Sequence, residues 1–221
     1  MPVDEHTQRN RSLRRKLSQG EKHLSSACET LSDWIAICGR CQLPVAWDRS
    51  VYESLVRAVA HQQLHGRAAE CILRRLCDAF PRTDFPSPKQ LAAAEPDTLR
   101  SLGFSQSKVT AIQGIAVAVQ KQTIPNRETA EQLSDEEIIS QLITLKGVGR
   151  WTAEMLLIFT LGRLDVMPVD DFGVRSGLQS LYDLTAFPGK SAFRELTDAW
   201  QPYRSVGAWY LWRKADSLKE R

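Results

Sequence analysis

Two short stretches of this chain combine residues that could hold a polyanion and act on it. The first is Leu145-Lys146-Gly147-Val148-Gly149-Arg150-Trp151-Thr152-Ala153, a turn with two glycines between two helix-like runs. The second is Pro168-Val169-Asp170-Asp171, which sets a carboxylate pair shortly after the second of those runs. A Gly-x-Gly turn that opens a helix offers backbone N–H groups to an anion, and the helix dipole favours negative charge there. Glycine also lets the turn approach a phosphate with no Cβ in the way. Lys146 and Arg150 add positive charge. Such a grip reads a nucleic-acid backbone and not its sequence. An ordinary joint between two helices with a glycine C-cap would use the same residues. The carboxylates face a similar choice between chemistry in a cleft and helix capping.

The elements that must position these stretches read as helices. Val51, Leu55, Val56, Val59 and Ala60 recur at helical spacing, and Ile72, Leu73 and Leu76 extend the stripe. Val109, Ile112, Ile115, Ala116 and Val119 form another. Ile138, Ile139, Leu142, Ile143 and Leu145 precede the turn; Met155, Leu156, Phe159 and Thr160 follow it. Helix starts fit Ser50 with Glu53, Thr129 with Gln132, Ser134 with Glu137, and Ser87-Pro88 with Gln90. Alternating strand patterns are scarce, and no Asn-Gly or Asp-Gly hairpin signal occurs. The fold class is all-α, with no internal repeat.

The 221 residues suffice for one large domain or two intertwined lobes. A net charge of +3 permits a nucleic-acid partner without requiring one. No apolar run approaches a membrane span, and the first twenty residues lack the apolar centre of a signal peptide. With Arg9, Arg11, Arg14, Arg15 and Lys16, residues 1–20 read as a basic, flexible lead-in or a weak phosphate-binding arm. The five cysteines (Cys28, Cys38, Cys41, Cys71 and Cys77) are odd in number, and Cys38-x-x-Cys41 has no second pair. No metal site or iron–sulfur cluster is expected, and no cofactor.

Five segments share an order with a known family. They are Ala60-His61-Gln62-Gln63-Leu64-His65 with Ala68-Ala69; Leu102-Gly103-Phe104-Ser105 with Lys108; the Gly147–Ala153 turn; Pro168 to Asp171; and Pro202-Tyr203-Arg204-Ser205 with Trp209 to Trp212. Together they resemble the helix-hairpin-helix/Gly-Pro-Asp superfamily of DNA base-excision glycosylases, and within it the DNA-3-methyladenine glycosylase II branch. The resemblance runs from about residue 45 to residue 215. It implies two helical lobes with the active site in the cleft between them. Residues 21–221 would form the glycosylase domain. Lobe A, about 49–150, would be a helical barrel ending in the hairpin; lobe B would be 21–48 plus 151–221.

The resemblance also assigns roles. Removing a base from duplex DNA requires flipping the nucleotide out of the stack. Gly147, Gly149, Arg150 and Thr152 would grip phosphate. Gln62 sits where the superfamily inserts a side chain into the duplex, with Gln63, Leu64 and His65 beside it; Gln62, Leu64 and His65 all remain candidates for the wedge. Trp151, Met155 and Trp212 would line the base pocket, since indole rings attract an electron-poor, often cationic alkylated purine by about 0.5–2 kcal/mol each. Bond cleavage builds positive charge on the sugar, as in glycoside hydrolysis, and an ionised carboxylate stabilises it or orients water. Two adjacent aspartates cannot face the same way. One is expected to cap the helix beginning near Phe172 and the other to enter the cleft. The family spacing from Trp151 favours Asp171 as catalytic, with Asp170 the second choice. Strand-nicking relatives carry a lysine directly after the hairpin for a Schiff base; here that position is Trp151. The expectation is a monofunctional glycosylase, acting as a monomer on alkylated purines in duplex DNA: 3-methyladenine first, 7-methylguanine second. The alternatives are a non-catalytic lesion-sensing protein and a glycosylase for other damaged bases. Bacterial cytoplasm, or the nucleus in a eukaryote, is the expected location.

Overall fold

Helical periodicity translates directly into structure. The computed structural model describes residues 5–64, 66–81 and 84–218. Along them run α1 (Glu5–Ala27), α2 (Glu29–Cys38), α3 (Val51–His61), α4 (Gly66–Ala79), α5 (Pro88–Ala93), α6 (Pro96–Ser101), α7 (Gln106–Gln120), α8 (Arg127–Gln132), α9 (Asp135–Leu142), α10 (Arg150–Phe159), α11 (Phe172–Leu181), α12 (Lys190–Thr197) and α13 (Arg204–Ser217). A 3₁₀ turn at Asp198–Trp200 precedes the last. The described residues contain no strand, and no helix among them is long and apolar enough to cross a membrane.

Two compact units divide the chain. One spans Asp48–Leu161; the other joins Met1–Trp47 to Gly162–Arg221. In the Asp48–Leu161 unit, α3 is the central helix. It packs on α4, α7 and α10, and its Leu55, Val56 and Val59 are fully buried. Val109, Ile112, Ile115 and Ala116 of α7 are buried, as are Ala153, Leu156 and Leu157 of α10. Ser50, Ser87 and Ser134 cap the helices expected of them, the last two in full capping boxes. The Thr129 start is corrected. Asn126 is the N-cap, and the Thr129 N–H donates to its side chain, so α8 begins at Arg127, three residues earlier than a cap at Thr129 would place it.

In the other unit, α11 packs along α13, and α1 packs on α2 and α13. Residues 1–20 are not a flexible lead-in as far as they are described: α1 is continuous from Glu5. Leu13, Leu17 and Leu24 recur on one face and are buried, and that burial orders the helix despite its charge. The unit boundary also differs from the expected one near 150. The whole of α10 stays with the Asp48–Leu161 unit, because its apolar face packs on α3 and α9.

Candidate functional site

The hairpin joins α9 to α10. Val148 is buried and its N–H donates to the Leu145 carbonyl, which pulls the turn tight. Gly147 has φ +83°, and a Cβ there would lie 2.6 Å from the Ala111 Cβ on α7. Glycine is therefore required twice at this position, for conformation and for contact. Gly149 is the N-cap of α10 and supplies no side-chain cap. The helix start thus presents backbone donors of the kind that bind phosphate.

Three residues expected on DNA have intramolecular partners in this DNA-free structure. The Gln62 amide donates both to the Gly147 carbonyl and to Thr152 Oγ1, each at 3.0 Å. Thr152 is buried, which removes its hydroxyl from the surface. Arg150 forks onto Glu136 and also reaches Glu154 Oε1 at 3.1 Å. Its guanidinium holds the Glu136 carboxyl below the usual glutamate range. Gln63 adopts φ +55°, and the neighbouring Leu64 is 40% exposed, so these two project from the end of α3. His65 lies outside the described residues. Trp151 and Met155 sit one turn apart on α10, both half-buried.

The carboxylates belong to the other unit. Asp171 is itself the N-cap of α11, its Oδ1 accepting the Val174 N–H at 2.8 Å. The same oxygen accepts Trp212 Nε1–H at 2.8 Å. The expected division, one aspartate capping and the other doing chemistry, therefore needs correcting. The capping residue is Asp171, the one that the family spacing favours as catalytic. The two roles are compatible because a carboxylate offers two oxygens and about four acceptor sites. Asp170 is exposed and pairs with Lys190 Nζ at 3.0 Å.

Sequence reasoning missed what holds Asp171 in place. A Cβ at Gly173 would come within 2.8 Å of Trp212 Cδ1, so this glycine admits the indole to the carboxylate. The Pro202–Ser205 motif is a brace. Arg204 grips the Asp165 carboxylate through Nε at 2.8 Å and a terminal nitrogen at 3.1 Å. Ser205 Oγ donates to the Arg163 carbonyl and accepts the Val166 N–H, fixing the segment that leads to Asp170 and Asp171.

Two helices joined by a tight glycine turn, within described residues that contain no strand, have the features of a helix-hairpin-helix protein. The chain belongs to the HhH-GPD superfamily of base excision DNA repair proteins, whose pattern covers residues 56–202. It is 39% identical over 198 residues to DNA-3-methyladenine glycosylase 1 of Schizosaccharomyces pombe, covering 89% of this chain and 87% of the relative. An alkylbase DNA glycosidase-like protein of the same yeast is 37% identical, with 88% and 92% covered. The solved structure of the S. pombe 3-methyladenine DNA glycosylase in complex with abasic DNA superposes with a TM-score of 0.83, covering 88% of this chain and 95% of that one.

Proposed function

We propose that the protein is a monofunctional DNA glycosylase, hydrolysing the N-glycosidic bond of alkylated purines in duplex DNA during base excision repair. 3-Methyladenine is the first substrate and 7-methylguanine the second. The observation that carries the reading is Asp171, fixed through Oδ1 by the Val174 N–H and the Trp212 indole. Held this way, the carboxylate supplies negative charge to the sugar as the bond to the base breaks. It also orients the water that completes hydrolysis. A cationic lesion leaves without being protonated, so one carboxylate and water suffice and no cofactor is needed.

The hairpin binds backbone phosphate through Gly147, Gly149 and the first turn of α10. Trp151 and Met155, half-buried one turn apart on α10, receive the base. Lys146 and Arg150 are exposed cations at the hairpin, and Arg150 also pairs with Glu136 and Glu154. With Trp151 where strand-nicking relatives carry lysine, the product is an intact abasic strand.

The test is incubation of methylated duplex DNA with the purified protein, measuring free base by chromatography. Release of 3-methyladenine without strand cleavage is expected. A borohydride-trapped covalent adduct would overturn the monofunctional assignment; no released base would leave only a lesion-binding protein.

A further inference from the structure

The end of α3 and the hairpin are tied into one ring, and Lys108 closes it. The last three carbonyls of α3 each find a different donor. Val59 O accepts the Gln62 N–H, His61 O accepts the Leu64 N–H, and Ala60 O accepts Lys108 Nζ at 2.8 Å. Lys108 thus serves as a side-chain cap at the negative end of the helix dipole. It stands in the first turn of α7, and Ala111, one turn further on, is the residue Gly147 packs against. Gln62 connects the other side, from the end of α3 to Gly147 O and Thr152 Oγ1. One helix therefore supports both the loop 62–64 and the hairpin turn, through two residues three positions apart. Burial lowers the pKa of the Lys108 ammonium below the usual lysine value, as expected for a group turned toward protein and away from water.

The geometry points to Lys108 as a positioning residue for base excision: it fixes the loop of Gln62, Gln63 and Leu64 in register with the hairpin. This rests on the glycosylase reading above. Its action is indirect, because the ammonium binds a backbone carbonyl and reaches DNA only through the loop it orders. A lysine that bound phosphate would behave differently, contributing about one ion to the salt dependence of binding.

The experiment compares Lys108→Met and Lys108→Arg with wild type in single-turnover excision on methylated duplex. Lys108→Met is expected to lower the saturated rate about tenfold, the scale of a lost charge-assisted hydrogen bond. Lys108→Arg, which keeps a cationic donor, should recover most of that rate. The salt slope of binding should be unchanged in both. In a Gln62→Ala background, Lys108→Met should add less than about a twofold loss, since both act through one loop. An unchanged rate, a salt slope reduced by about one ion, or independent multiplicative effects would each overturn the proposal. Hydrogen exchange on the DNA-free protein separates this from the glycosylase reading. The Gln62 and Leu64 amides should exchange faster in Lys108→Met, whether or not any base is released, and equal exchange would sink the positioning role. If Lys108→Met does not fold, Lys108→Gln, a neutral donor, enters the same comparisons.

Discussion

The hairpin and the carboxylate are held by different means. The hairpin's turn is shaped chiefly by a left-handed glycine in Cβ-free contact with α7, with a buried valine and the Gln62 amide holding it from inside. Asp171 is held by a side chain from far along the chain, the Trp212 indole, admitted by Gly173. A grip on DNA must recognise every sequence, so it uses groups that every peptide has. A catalytic group must sit in one orientation, so it uses a specific donor. The two regions should therefore fail differently when changed.

The largest effect is expected from Asp171→Asn. Excision should fall by about 10²–10³-fold, as for loss of a group aimed at developing charge, while DNA affinity stays within a few fold. Asp170→Asn should change the rate little; a loss there equal to that of Asp171→Asn would reassign the catalytic carboxylate. Gly147→Ala attacks the other region. It forces an L-residue into a left-handed conformation at about 1–3 kcal/mol and drives a Cβ into Ala111. Titration of labelled duplex should show affinity weakened about tenfold or more, with the saturated rate much less affected. Were the rate to fall and affinity to hold, the separation of roles would be lost.

Trp212→Phe keeps a ring and removes the N–H donor. The rate should drop about tenfold, the cost of one bond to a charged acceptor, with binding preserved. Ser134→Ala is smaller still. Losing the capping box of α9 should cost about 1 kcal/mol in urea unfolding and leave excision unchanged. The smallest effect concerns acid. Glu136 is held below its ordinary pKa by Arg150, so its contribution is present above the ordinary glutamate value and is lost as pH falls through the lowered one. Because the pair is exposed, Glu136→Gln should alter stability only slightly near neutrality, and not at all once wild-type Glu136 is protonated.

The helices were legible because burial imposes a period on the sequence. The stripes of α3, α7 and α9 needed nothing beyond spacing. The hairpin was legible for a related reason, since a glycine such as Gly147 marks backbone that other residues rarely adopt. Less visible was α1, where leucines at helical spacing lie among five basic residues that suggested a loose arm. Thr129 misled because a capping pattern three residues long recurs by chance, and Asn126 offered the better acceptor. Partner choice was not legible at all. Arg150 could have met phosphate, Glu136 or Glu154, and no local pattern ranks them. The tie from Gln62 to the hairpin spans 85 positions, and that from Trp212 to Asp171 spans 41. Such pairings exist only once the chain has folded.

The double hold on Asp171 Oδ1 has a practical consequence. Asparagine retains a carbonyl oxygen able to accept both the Val174 N–H and the Trp212 indole, so the helix cap and the indole orientation survive the substitution. What disappears is the negative charge. The Asp171→Asn protein is therefore expected to keep its shape and engage an intact alkylated nucleotide without cleaving it. It would serve as a substrate trap, suited to capturing the uncut lesion in a crystal.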